Sequence, residues 1–212
     1  SYGYCKDDSI FDIDLAGYRE GDHAIDINLA PLKALAPDFA IKSKSPSIYI
    51  PGDISGKINE FLVPLKEKKI FVNLSAGKTN RVWGKENWKE LLAHLTKDDS
   101  YSVILNAFGS DDKEMAAELK NEFTGIDIYS GEYMEIAGIV KNSSAVISPD
   151  TAIIHMAAAF NIPVVGLYTD VKWNIDRFAP LSDKQRVLIS PDKDSIKQIT
   201  PDTVYRALMD IL

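Results

Sequence analysis

Residues 145–168 read Ala145-Val146-Ile147-Ser148-Pro149-Asp150-Thr151-Ala152-Ile153-Ile154-His155-Met156-Ala157-Ala158-Ala159-Phe160-Asn161-Ile162-Pro163-Val164-Val165-Gly166-Leu167-Tyr168. A short β-rich run (Ala145 to Ser148) ends in a Pro-Asp-Thr turn. An apolar helical stretch follows from Thr151 to Phe160, and a second short run extends from Pro163 to Tyr168. The two runs are continuously apolar rather than alternating, as expected of strands buried on both faces. Two such strands joined by a helix form a unit whose strands run parallel.

The same alternation continues upstream. Ile70 to Leu74 reads as a buried strand and Glu86 to Leu95 as a helix, with Trp88, Leu91, Leu92 and Leu95 on one face of a 3.6-residue period. A strand at Tyr101 to Phe108 and a helix at Asp111 to Phe123 follow, the helix carrying a stripe of Met115, Ala116, Leu119 and Phe123. Next come a strand at Ile126 to Tyr129 and a helix at Tyr133 to Lys141. Strands separated by helices predict an α/β domain with a doubly wound parallel sheet, in which ligands sit at the carboxyl ends of the strands. Downstream, Thr200 can cap a helix whose first turn holds Pro201, with Val204, Leu208, Ile211 and Leu212 as its buried stripe. Ahead of residue 63 the pattern is irregular. Ala24 to Leu35 has helical spacing, but Pro31 should kink or break it, and residues 37–51 read as an extended connection. The expected division is therefore 1–62 and 63–212.

Composition narrows the partners. The 212 residues carry a formal net charge of −7, which gives no global electrostatic reason to bind nucleic acid. Cys5 is the single cysteine, so there is neither an intrachain disulfide nor a cysteine-based zinc site, and a reducing compartment is expected. The longest apolar stretch, Met156 to Tyr168, is interrupted by Asn161 and Pro163 and falls short of the ~20 residues of a spanning helix. No signal peptide is visible over residues 1–8. His23, His94 and His155 are widely separated, so no metal site is expected.

Two loops carry the candidate chemistry. Ser75-Ala76-Gly77-Lys78-Thr79-Asn80-Arg81 follows the first strand. Small residues there let main-chain N–H groups approach a phosphate, and Lys78 and Arg81 add positive charge. The Gly-Lys-Thr string is not a P-loop, because Val72 stands where that motif needs glycine. Solvated loop cations would explain the same residues. In the second loop Asp150 sits at or near a helix cap, and the N–H groups of Thr151 to Ile153 form an anion site, with His155 one turn further in. A capping Asp150 and a core His155 are the plain alternative. A third stretch, Gly109 to Glu114, offers carboxylates for ribose hydroxyls, although capping by Ser110 or Asp111 accounts for it equally well. Trp173 and Arg177 are expected in a loop that could line a cleft.

Together these loops resemble glycosyltransferase family 9, the ADP-heptose:lipopolysaccharide heptosyltransferases. Ser75-Ala76-Gly77 followed by Arg81-Val82-Trp83 resembles the family's small-residue loop and its basic residue two positions before Trp-Pro, with Gly84 in place of proline. Asp150-Thr151-Ala152, two residues, then His155-Met156-Ala157-Ala158-Ala159 is similar to the family's Asp-Thr-Gly and His-Leu-Ala-Ala-Ala at the same spacing, with Ala152 in place of glycine.

The resemblance implies a GT-B enzyme whose C-terminal, Rossmann-like lobe holds a nucleotide sugar, with no cofactor and no metal for the diphosphate. It implies inverting transfer of a heptose or related sugar from ADP-heptose to a lipopolysaccharide inner-core acceptor, in the cytoplasm and at most peripherally at the inner membrane face. Ser75, Ala76, Gly77, Lys78, Arg81, Asp150, Thr151, Ala152 and His155 would then face the donor's phosphates or sugar, with Met134, or its neighbours Glu132 and Tyr133, near the base. No residue matches the family's catalytic base, since Asp12 and Asp14 lie in the wrong segment. Residues 1–62 resemble the end of the acceptor lobe and the interlobe connection, so a C-terminal piece of such an enzyme, inactive alone, is expected. The alternative is a non-catalytic nucleotide-binding module of the same fold.

Overall fold

The computed structural model describes residues 2–3, 12–18, 21–97 and 99–212, so that Cys5 and most of the first eight residues lie outside the described part. The chain divides into two compact units, one of Ser1–Ser45 with Lys172–Ala179 and the other of Pro46–Val171 with Pro180–Leu212. No described helix is long and apolar enough to cross a membrane.

In the first unit, β1 (Tyr2–Gly3) pairs in parallel with β2 (Ile13–Asp14), ahead of helix α1 (Ala24–Leu35). The His23 ring caps α1, its Nδ1 accepting from Ile25 N at 3.2 Å while Nε2 lies 3.0 Å from Ala179 O. The break expected at Pro31 does not occur. Proline removes the one N–H that would meet the Ile27 carbonyl, but the turns on either side keep theirs, with Ile27 N on His23 O at 3.1 Å and Ala36 N on Leu32 O at 2.8 Å. Residues 39–51 carry no regular element, in keeping with the extended reading. Trp173 and Arg177 lie on a helix, not in a loop. The helix is α7, Lys172–Phe178, supported by an i,i+4 pair between Lys172 and Asp176 at 2.8 Å.

The second unit is built on one parallel sheet. Its strands are β3 (Lys68–Asn73), β4 (Tyr101–Asn106), β5 (Ile126–Tyr129), β6 (Ala145–Pro149), β7 (Val164–Tyr168) and β8 (Gln185–Ile189). They lie in the order β5-β4-β3-β6-β7-β8, all neighbours parallel. The α/β doubly wound expectation holds. β8 is an addition to it: an edge strand half open to solvent, whose apolar run is only Val187-Leu188-Ile189.

Helices α3 (Lys85–Leu95), α4 (Ser110–Glu122), α5 (Tyr133–Lys141), α6 (Ala152–Ala159) and α8 (Pro201–Met209) complete the unit. The α3 stripe of Trp88, Leu91, Leu92 and Leu95 is wholly buried. Of the α4 stripe, Ala116 and Leu119 are buried, while Met115 and Phe123 pack half-buried against the same core. Thr200 caps α8 by accepting from Thr203 N at 3.3 Å, and Val204, Leu208 and Ile211 are buried. Leu212 was expected among them but is exposed, since the helix ends at Met209. Helix α2 (Gly52–Leu62) falls where the sequence pattern is irregular. It buries Ile58 and Leu62 and lies close to α5 at Gly138, where any Cβ would run into Ile58 Cδ1.

Strand order reverses between β3 and β6. At such a switch point the connections leave on opposite sides of the sheet and open a crevice beyond the strand ends.

Candidate functional site

A cleft of ≈ 400 Å³ occupies that crevice. One wall is formed by Asn73, the loop Ser75-Ala76-Gly77, Arg81 and the start of α6 from Asp150 to Ile153; the other is formed by Phe108, Gly109, Asp112 and Tyr133. The first wall is tied together by buried polar side chains. Asn73 Nδ2 donates at 3.0 Å to Ser75 O and to Ser148 Oγ, and lies 3.2 Å from Thr151 Oγ1. Its Oδ1 accepts from Ser75 N at 3.3 Å and from Asn106 Nδ2 at 3.0 Å, while Ser75 Oγ accepts from Phe108 N at 2.8 Å. The carboxyl ends of β3, β4 and β6 are therefore tied to one another by buried side-chain hydrogen bonds, with Asn106 Oδ1 the member of the network that has no hydrogen-bond partner.

Thr151, not Asp150, caps α6, its Oγ1 accepting from Ile153 N at 3.4 Å. Asp150 is otherwise engaged. Its N–H donates to Leu167 O at 3.1 Å, which continues the sheet ladder, and its carboxylate meets Arg81. The first N–H groups of α6 have no acceptor within the helix, and the helix dipole adds positive potential where Thr151 and Ala152 reach the cleft.

Arg81 closes the short turn Thr79–Arg81. Its guanidinium donates to Asp150 O at 2.8 Å and pairs with Asp150 Oδ2 at 2.8 Å, a bidentate grip on the main chain and side chain of one residue. Burial, and next the Asp150 carboxylate, push the Tyr168 phenol far above its ordinary range, so it stays protonated. Trp83 anchors the same loop from behind. Its Nε1 donates to Ile199 O at 2.8 Å, and its ring meets Trp88 edge-on at 4.5 Å. Arg81 thus reaches Asp150 from a loop fixed by a buried indole.

The second wall is aromatic and open. Phe108 and Tyr133 stack with ring centroids 5.7 Å apart at 39% and 61% exposure. Tyr133 opens α5, whose start carries a reciprocal cap between Glu132 and Glu135.

Of the residues singled out in the sequence, Ser75, Ala76, Gly77, Arg81, Asp150, Thr151 and Ala152 come together on the cleft wall. Lys78, which is exposed, and Met134 and His155, both half-buried, are not among the lining residues. Neither Ser110 nor Asp111 caps α4, whose cap position is Gly109; Asp112 of that stretch does reach the cleft. Ile153, the last of the three N–H groups expected at the anion site, also lines the cleft, as does Tyr133; Asn73 and Phe108 were not foreseen. Only Asn73 left a trace, as a polar residue closing an apolar strand.

The sequence model of Glycosyltransferase family 9 (heptosyltransferase) matches residues 22–206. The chain belongs to glycosyltransferase family 9. Among solved structures, this family 9 chain is similar to E. coli ADP-heptose lps heptosyltransferase II, with 22% identity and a TM-score of 0.66 over 81% of this chain and 55% of that one. It is also similar to a family 9 glycosyl transferase from Veillonella parvula, with 15% identity and a TM-score of 0.74 over 88% and 59%. A third is E. coli heptosyltransferase WaaC with ADP-2-deoxy-2-fluoro heptose, at 18% identity and a TM-score of 0.64 over 95% and 59%. At these identities the likeness establishes the fold. The chain spans between 55% and 59% of the lengths of these three proteins. No curated protein sequence matches it.

Two departures from the family 9 pattern acquire a structural meaning. Gly84 stands before α3 with φ 97° and ψ 148°, a conformation proline cannot enter and other residues rarely do. The turn into α3 is therefore built for glycine here. Ala152 lines the cleft and is exposed, so the methyl it adds fills no buried contact.

Proposed function

We propose that the cleft holds the nucleoside diphosphate of a sugar donor, and that the whole enzyme transfers a heptose or related sugar from ADP-heptose to a lipopolysaccharide inner-core acceptor with inversion. The observation that carries the reading is the convergence of the small-residue loop after β3 and the α6 N-terminus at the sheet's switch point. Main-chain N–H groups of Thr151 and Ala152 would face the phosphates. As the sugar leaves, negative charge grows on the diphosphate, and oriented N–H groups with the nearby Arg81 stabilise it without a metal or other cofactor. Phe108 and Tyr133 supply an apolar surface at the other end for the base. The acceptor and any contact with the inner membrane face belong to the same proposal, as does a cytoplasmic setting. The catalytic base is not assigned to this chain; Asp14 accepts from Ala16 N at 2.9 Å and turns its own loop.

Thermal denaturation with ADP, UDP, GDP, CMP and inorganic phosphate at matched concentration tests the reading. A ligand at 100 times its Kd adds roughly 2.7 kcal/mol, a rise in Tm of roughly 5–10 °C for a domain of this size. The expected order is ADP first. A larger shift with UDP would move the donor class, and no shift with any nucleotide would overturn the reading.

A further inference from the structure

The aromatic wall of the cleft rests on the sheet through Phe108, whose N–H donates to Ser75 Oγ at 2.8 Å, and through Ser130 Oγ, which donates to Ala107 O at 3.1 Å, and it has a second support on the side of helix α5. Tyr133 follows directly on a segment, Tyr129 to Glu132, that is held from one side by the Glu135 carboxylate. Glu135 Oε2 accepts from Glu132 N and from Tyr129 Oη, each at 3.3 Å. Gly131 threads between these groups, for a Cβ there would run into the Glu135 carboxylate and come within 2.8 Å of the Tyr129 ring. Glu135 is in turn held by a side chain from a different helix, Lys57 of α2, whose ammonium pairs with Glu135 Oε1. Phe61, one turn further along α2, meets the Tyr129 ring edge-on at 4.8 Å. The carboxylate is nearly covered, at 11% exposure, whereas the lysine is 63% exposed. The cation is therefore free to leave, and the anion is not free to hydrate.

We propose that Lys57 is a positioning residue for nucleotide binding: through Glu135 it fixes the Glu132 N–H and hence the first turn of α5, which carries Tyr133 into the cleft. The inference rests on the nucleotide reading of the cleft and adds to it a part played by α2, a helix none of whose residues is among those lining the cleft. Because Lys57 acts on one wall alone, its loss changes the balance between ligands rather than binding as a whole. A nucleotide must lean on the aromatic wall, while inorganic pyrophosphate needs only the polar one.

The test compares Lys57→Met, which keeps the aliphatic stem, with Lys57→Arg and the wild type. Calorimetry measures the Kd of ADP and of inorganic pyrophosphate, and hydrogen exchange of the ligand-free proteins measures protection at the Glu132 amide. The expected result for Lys57→Met is ADP bound about two- to fivefold more weakly, the range of a partly exposed ion pair. Pyrophosphate affinity should be unchanged, and exchange at Glu132 faster by a similar factor. Lys57→Arg should restore both. Equal losses for ADP and pyrophosphate would make the role merely structural and overturn the proposal, as would unchanged ADP affinity. Failure of the wild type to bind ADP counts against the nucleotide reading. Unchanged exchange at Glu132 counts against the positioning role whether or not ADP binds.

Discussion

The two walls of the cleft face the same space and are built on opposite principles. The polar wall is made of side chains at the ends of strands: Asn73 is 1% exposed, Ser148 and Asn106 are fully buried, and each is bonded to a neighbour on another strand. Its geometry is inherited from the most buried part of the molecule. The aromatic wall consists of exposed rings: Phe108 on the loop after β4, its N–H on Ser75 Oγ, and Tyr133 on a helix start placed by a cap and an ion pair at a helix seam. Such regions open locally at a small fraction of the free energy needed to unfold the core. On the donor reading proposed above, the first wall would take the diphosphate and the second the base.

Substitutions can break this contrast, and the largest effect is expected at Asn73. Asn73→Ala leaves Asn106 Nδ2 and Ser75 N without their shared acceptor and should cost about 2–4 kcal/mol. A chemical denaturation curve checks this, and anion binding should fall with it. Next is Arg81→Ala, which leaves the Asp150 carboxylate, 6% exposed, without its cation and should cost about 2–3 kcal/mol. Adding Asp150→Asn should recover part of the loss. A double-mutant cycle with no coupling would mean that Arg81 serves the ligand alone. On the other wall, Tyr133→Ala should change stability by no more than about 0.5 kcal/mol and yet weaken ADP binding roughly tenfold, with phosphate unaffected.

The smallest effect concerns pH. The Lys57 hydrogen bond holds the Glu135 carboxyl below its ordinary 4.5, so the order it confers is present above that value and is lost as pH falls through the lower one. The Glu132 amide resonance should follow that titration and stop doing so in Glu135→Gln.

The sequence was most legible where burial is symmetric. The 145–168 stretch coincides with β6, α6 and β7 because covered strands and apolar helices leave continuous patterns, and the run at Tyr133 to Lys141 coincides with α5; the run at Ile126 to Tyr129 coincides with β5 although that strand is a half-buried edge. α2 was illegible for a different reason. Its buried stripe is short, Ile58 and Leu62, and the room that lets Ile58 pack against α5 comes from Gly138, far along the chain. The half-exposed β8 likewise follows its neighbour β7 more than its own composition. In the site, spacing located both loops but not the bonds between them. Arg81 and Asp150 both look like ligand groups in one dimension, and only the fold shows each holding the other. Phe108 gave no signal, since an aromatic closing a strand reads as core.

The reversal of strand order has a mechanical side. β3 shares six register pairs with β4 but three with β6, from Ile70↔Ala145 to Val72↔Ile147. The sheet is thus two hairpinless halves joined along a short seam of distant residues, and the cleft straddles the open end of that seam. Anything bound there, touching Ser75 on one half and Thr151 on the other, acts as a clasp. It would slow the parting of the halves more than it slows the fraying of either one, so an occupied site also guards the shortest seam of the sheet.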